Sequence, residues 1–150
     1  DAAQLMANSA KKAGIDIEVI REPNDGYWSN VWNNDAKGWC ACYWGGRPAE
    51  TMMFSAAYVA ESKWNDTMWK TTDSAVKFNQ LVKDARKELD ESKKRDILYE
   101  CQRLIYDDGG LLCPLFNSYV SANSKKIAHG KIAANWDSDG AKCVERWWFA

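Results

Sequence analysis

The sequence predicts an α/β fold on two observations. Segments with apolar residues at helical spacing alternate with short runs of apolar or β-branched residues, and along the chain they read β-α-β-α-α-β. The chain has 150 residues, enough for one ordinary domain or part of a larger one.

Leu5, Met6, Ala10 and Ala13 form one stripe of an amphipathic helix over 2–13, with Gly14 as its stop. Ile15, Ile17 and Val19 then alternate with Asp16 and Glu18, which reads as a half-buried strand. Pro23-Asn24-Asp25-Gly26 interrupts the chain, and Asp25 is expected to cap a short helix over 26–32. After the turn at 33–38, Trp39-Cys40-Ala41-Cys42-Tyr43-Trp44 is a glycine-bounded apolar run, the pattern of a buried strand.

A helix is expected over 49–57, then an irregular stretch to Thr72 anchored by Trp64 and Trp69. Phe78, Leu81, Val82, Ala85 and Leu89 mark the apolar face of a long helix with Asp73 as its cap. Ile97, Cys101, Leu104 and Ile105 mark a second. Gly109-Gly110 ends it. Leu111–Val120 reads as an edge or bent strand because Pro114 lies inside it. Short strands are expected over 127–132 and 143–149, around a loop at 135–140.

Hydrophobic residues at 46% and charged residues at 27% describe a chain that folds. A net charge of −1 gives no field of one sign to draw in nucleic acid or an anionic membrane surface. No run approaches the ~20 apolar residues of a membrane-spanning helix. The chain begins Asp1-Ala2-Ala3 inside what reads as a helix, so any export signal is expected upstream. Nine Trp residues imply an aromatic-rich core or a lined pocket.

Cys40, Cys42, Cys101, Cys113 and Cys143 match no zinc or redox spacing, and no metal or other cofactor is expected. Cys40 and Cys42 would share one face of a strand, whereas Cys101, Cys113 and Cys143 read as small buried residues. The single histidine, His129, sits among Lys125, Lys126 and Lys131 and reads as a surface side chain, not half of a Cys–His nucleophile pair. Asp137-x-Asp139-Gly140 lacks the remaining positions of a calcium loop. No catalytic residue is expected.

Three segments in succession carry a resemblance: AQLMANSAKKAGIDIEV, the Trp39–Pro48 run followed by Met53-Phe54, and YDDGGLLCPLFNSYVSA after the helix pair. Together, from about Ala2 to Phe149, they resemble the C-terminal part of the dipeptide/oligopeptide-type (family 5) extracellular solute-binding proteins of ABC importers. The resemblance implies the second half of the C-terminal lobe of a two-lobed, periplasmic-binding-protein-like fold that closes on its solute by a hinge. Residues 1–116 would belong to that lobe, and 117–150 would cross back toward an N-terminal lobe encoded upstream. It further implies a periplasmic or extracellular protein that is not an enzyme, that partners an ABC permease, and that meets the membrane only through the transporter. In peptide-binding members, a strand resembling WCACY carries an Asp that pairs with the ligand's amino terminus. Cys42 stands there in this chain, and a thiol cannot replace that charge-assisted bond.

The candidate ligand contacts follow from the residues themselves. Trp28, Trp39, Tyr43 and Trp44 offer flat apolar surface, and the resemblance adds Cys42 as the residue at the position of the ligand-pairing Asp. Gly45 and Gly46 permit close backbone approach, and Arg47 offers a planar fork to a carboxylate or phosphate unless it pairs with Glu50. The solutes in view are a peptide, an opine or a sugar derivative. The competing function is a Trp-rich protein-interaction domain; a Cys/His hydrolase ranks behind it.

Overall fold

The computed structural model describes residues 1–150 apart from the side chain of Lys37. The elements are α1 (Ala2–Lys11), α2 (Tyr27–Asn30), a 3-10 turn (Asp35–Lys37), α3 (Glu50–Ala57), α4 (Asp73–Lys87), α5 (Glu91–Asp108), β1 (Ile127–His129), α6 (Asp137–Ala141), α7 (Cys143–Arg146) and β2 (Trp147–Phe149). Helix accounts for 44% of residues, and the sheet among the described residues is a single antiparallel pair. Its register places Ile127 opposite Phe149 and His129 opposite Trp147. The chain forms two compact units, Asp1–Trp44 and Gly45–Ala150.

The core of the second unit is built on α4 and α5. Phe78, Val82 and Ala85 recur on one face of α4, and Cys101, Leu104 and Ile105 on one face of α5, all buried. The Phe78 ring meets Phe54 of α3 edge-on at 5.6 Å and Trp69 at 5.1 Å. Lys77 of α4 and Glu100 of α5 pair across the outside at 2.6 Å. Asp90 caps α5, its carboxylate accepting from the N–H groups of Ser92 and Lys93.

Asp73 is not the cap of α4. Thr72 holds that position and its hydroxyl accepts from Ala75 N–H, while Asp73 lies in the first turn, where its charge suits the helix dipole. Leu89 falls beyond the end of α4 and is 92% exposed, because the helix stops at Lys87 before the stripe reaches it. Trp69 anchors the irregular stretch as expected, but Trp64 does not and is exposed. Asn65 anchors it instead. Fully buried, its amide donates to the carbonyls of Tyr58 and Trp69 at 3.1 Å, and its Oδ1 accepts from the Thr67 hydroxyl. An irregular backbone buried here needs such a partner for carbonyls that no helix satisfies.

Three expected strands do not form. Residues 15–20, 39–44 and 111–120 are irregular, although their patterns suit a sheet. A strand needs a neighbour to satisfy its backbone, and a lone alternating segment has none. Ile15, Val19, Leu112, Phe116 and Val120 are accordingly exposed. The strand expected over 127–132 contracts to β1, and the one over 143–149 becomes α7 followed by β2. The expected stripe is only partly covered: Met6 and Ala10 are half-buried, Leu5 is exposed, and Ala13 lies exposed beyond the end of α1, while the buried residue is Ala7, outside the stripe.

Candidate functional site

The eight expected contact residues divide between the two units: Trp28, Trp39, Cys42, Tyr43 and Trp44 in the first, Gly45, Gly46 and Arg47 in the second. Each group is built differently.

In the second unit the loop at 45–47 is closed on itself by Arg47. Its Nη1 donates to the carbonyl of Gly45 at 2.7 Å and to that of Gly46 at 3.2 Å. The guanidinium lies over the Trp136 ring, 5.6 Å from its centroid, an attractive cation–π placement. Neither glycine has a positive φ, and Gly46 has the tighter surroundings of the two. A Cβ at Gly46 would sit 3.0 Å from the Tyr119 hydroxyl, and one at Gly45 would sit 3.4 Å from Arg47 Nη1. Among the described residues no carboxylate pairs with Arg47, so the expected alternative, an ion pair with Glu50, is not formed. The arrangement is a positively charged fork, steadied from two sides, with Nε and Nη2 not engaged by the carbonyls that hold Nη1.

Tyr119 and Trp136 were not among the expected contacts. Tyr119 reads in sequence as one residue of a strand, and Trp136 as one of a loop. The residues that place Trp136 are a short run downstream. Ser138, Asp139, Gly140 and Ala141 all have positive φ, a left-handed turn that costs L-residues roughly 1–2 kcal/mol each. Asp139 holds it in place. Its buried carboxylate accepts from Ala133 N–H at 2.6 Å and Trp147 Nε1 at 3.0 Å, and it pairs with Arg146 at 3.0 Å. These partners, the Ala133 N–H foremost, hold the Asp139 carboxyl below its ordinary pKa. Asp139 is therefore committed to the fold and not to a cation.

In the first unit, aromatic rings replace the missing strand. Trp28 meets Tyr27 at 5.7 Å, Trp32 at 5.6 Å and Tyr43 at 5.5 Å, each edge to face. Trp44 meets Trp32 at 6.2 Å. The four-residue spacing of Trp28 and Trp32 brings their rings together as the sequence implies. The buried strand expected at 39–44 is overturned by exposure: Trp39 is 74% and Tyr43 is 76% exposed. Asp25 does not cap α2, since Gly26 occupies that position with φ near 78° and no side chain bonds to the helix end. The Tyr27 hydroxyl donates to the carbonyl of Ala41 at 2.8 Å and so pins the 39–44 segment to α2. A shallow depression of about 220 Å³ opens beside Tyr27 and is lined by Glu22, Asp25 and Asn30 among others; none of the eight expected contacts lines it.

The remaining candidates are resolved by their surroundings. His129 is half-buried in β1, its ring 5.0 Å from that of Trp147 and its Nδ1 2.9 Å from the Gly130 carbonyl, so it is not the exposed side chain expected. Cys101 is buried, but Cys113 is exposed and Cys143 half-buried, against the expectation for the latter two. Asp107 and Asp108, awkward at a helix C-terminus, are each compensated. Arg103 takes Asp107 at 2.6 Å, and Asp108 accepts from Ser74, Thr72 and Trp69. Among the described residues no three His, Cys, Asp or Glu side chains converge as a metal site, and no helix is long and apolar enough to cross a membrane.

Comparison with known protein families, curated proteins and solved structures finds no match for this chain.

Proposed function

We propose that this chain is part of the larger lobe of an extracellular solute-binding protein, one that captures an anionic small molecule and hands it to an ABC permease without catalysing a reaction. The observation that carries the reading is Arg47. Its Nη1 is tied to the carbonyls of Gly45 and Gly46, its plane lies over Trp136, and among the described residues no carboxylate neutralises it. A guanidinium held in one orientation by neutral partners recognises a carboxylate or phosphate with little further ordering. The solute class is accordingly an acidic peptide, an opine or an acidic sugar derivative.

The lobe assignment has separate support. Residues 15–20, 39–44 and 111–120 carry strand patterns yet lie outside any sheet, with apolar side chains exposed. Such segments are what remains of a sheet whose other strands come from elsewhere in a longer chain. In a two-lobed binder the solute touches both lobes and favours the closed state through that difference in affinity.

Calorimetry on this chain and on the full-length gene product, with one acidic solute, tests the reading. Tighter binding by the longer protein, lost on Arg47→Ala, is expected. Equal affinities defeat the two-lobe account, and binding indifferent to Arg47 defeats the site. A second reading, a protein-interaction surface, is favoured by the exposure of Trp39 and Tyr43 in the first unit. It predicts a tryptophan fluorescence response to a protein partner and none to small anions.

A further inference from the structure

We propose, on the reading of Arg47 as the anion contact, that the Tyr119 hydroxyl is a second solute contact and that the two side chains take the carboxyl end of a peptide or of an N-acylated amino acid. The loop at 45–47 meets two aromatic side chains, both from its own unit. At Gly45, Trp136 Cη2 is 4.0 Å from the position a Cβ would take, and the Arg47 guanidinium lies 5.6 Å from the centroid of that ring. At Gly46, Tyr119 Oη is 3.0 Å from the position a Cβ would take. The Gly46 carbonyl in turn accepts from Arg47 Nη1 at 3.2 Å. A single residue therefore links the hydroxyl to the carbonyl that orients the guanidinium, and Tyr119 Oη is no more than about 10 Å from Arg47 Nη1 by bond lengths and contacts alone.

Chemistry divides the two roles. Arg47 is charged and presents Nε and Nη2 to a carboxylate, while its Nη1 stays with the loop carbonyls. Tyr119 is neutral and 50% exposed, and among the described residues its hydroxyl has no protein partner. A neutral donor beside a guanidinium suits a solute that carries a carboxylate and, a short spacer away, a neutral acceptor. The end of a peptide has both. Its terminal carboxylate is followed, one Cα and one N–H away, by the carbonyl of the preceding peptide group, and the Tyr119 O–H donates to that oxygen. Gly46 keeps the place open, because any side chain there presses on the hydroxyl.

The test titrates N-acetylglycine and pentanoate into the full-length protein by calorimetry. The two acids match in length, and only the first has an amide. The wild type should prefer N-acetylglycine. Tyr119→Phe removes one neutral hydrogen bond, so it should weaken N-acetylglycine binding roughly three- to ten-fold and leave pentanoate binding unchanged. Gly46→Ala, whose methyl displaces the hydroxyl, should erase the same preference with Tyr119 intact. Equal losses for both acids in Tyr119→Phe mean that the ring only props the loop, and an unchanged preference means that the hydroxyl is not used. Either result overturns the Tyr119 contact, and the anion site stands if Arg47→Ala still weakens both acids. Binding of neither acid by the wild type, or binding of both that Arg47→Ala leaves unchanged, overturns the reading of Arg47 and the Tyr119 contact with it.

Discussion

Trp69 Nε1 donates to Oδ2 of Asp108 at 3.0 Å, joining the irregular stretch before α4 to the last residue of α5, 39 positions away. Ser74 and Thr72 donate to the same carboxylate, and with Trp69 they hold it below its ordinary pKa. Glu100 is likewise held down to about 2 by Arg103 and Lys77. Both groups are ionised more readily in the folded chain than in the unfolded one. As pH falls, the unfolded chain takes up these protons first, so stability is complete above about pH 5 and is lost as pH falls through the folded values. Thermal midpoints between pH 6 and pH 2 should decline, and Asp108→Asn should make the decline shallower. An unchanged slope in that variant means the Asp108 bonds do not distinguish folded from unfolded.

Phe78 and Leu89 lie on one apolar stripe in the sequence but have opposite fates. Phe78 is fully buried between Phe54 and Trp69, whereas Leu89 lies past the helix end in solvent. Phe78→Ala should cost about 3–5 kcal/mol, the usual loss for a truncated core aromatic. Leu89→Ala should fall within about 0.5 kcal/mol of wild type. Urea denaturation of the two variants side by side measures the difference, and comparable losses would mean that α4 continues through Leu89.

The contrast explains how much was legible. Helices α4 and α5 were readable because local spacing decides both the element and its buried face, and Phe78, Val82, Ala85, Cys101 and Leu104 are buried as the pattern implies. The helix over 49–57, the anchor at Trp69 and the break at Gly109-Gly110 were legible for the same reason. The strands were not, because alternation states only that a segment suits a sheet and never whether a neighbour exists. Ile15, Tyr43 and Phe116 lie in segments whose patterns suit strands but that pair with no neighbour among the described residues, and all three are exposed. At the candidate site, Arg47, Gly45 and Gly46 were singled out by residue chemistry, and the structure joins them in one loop. Trp136 and Tyr119 were not, since their meeting with the loop is a long-range contact that no local pattern encodes.

Gly140 should tolerate no side chain. Its φ is +71°, and a Cβ there would sit 2.8 Å from Asn135 Oδ1, inside the turn that Asp139 stabilises. Gly140→Ala should cost at least about 1–2 kcal/mol from backbone strain alone. Gly130, with no positive φ and nothing within 4 Å of an added Cβ, is the control. Gly130→Ala should be neutral or stabilising by up to about 1 kcal/mol, through the unfolded chain. Equal melting curves for the two variants would show that the left-handed turn is not maintained in solution.

Asn65 should be the most sensitive polar position. One buried side chain serves the carbonyls of Tyr58, Val59 and Trp69 and accepts from Thr67. Asn65→Ala leaves those carbonyls buried with fewer donors, and each unsatisfied group costs about 1–3 kcal/mol. Asn65→Asp keeps the shape but exchanges the donating amide for an acceptor facing carbonyl oxygens, so it should be at least as damaging near neutral pH and less so in acid, where the carboxyl regains a proton. Hydrogen exchange at 58–69 reads the local effect directly. Protection in both variants equal to wild type would mean that other donors hold this stretch.

Arg47 and Trp136 separate charge from stacking. Removing the guanidinium takes away charge-assisted hydrogen bonds worth about 1.5–3 kcal/mol, so Arg47→Ala should weaken binding of an acidic solute roughly ten- to hundred-fold. Arg47→Lys keeps the charge but not the fork, and a lysine cannot hold the Gly45 and Gly46 carbonyls while presenting two parallel donors to the solute. Its affinity should fall between wild type and Arg47→Ala. Trp136→Ala removes only the ring beneath the guanidinium, about 0.5–1 kcal/mol at a surface site, and should weaken binding a few-fold. Calorimetric titration of the full-length protein with one acidic solute gives the order, and melting curves of the same samples separate lost binding from lost folding. If Trp136→Ala proves as damaging as Arg47→Ala, the ring and not the charge dominates recognition, and the preference for anions fails with it.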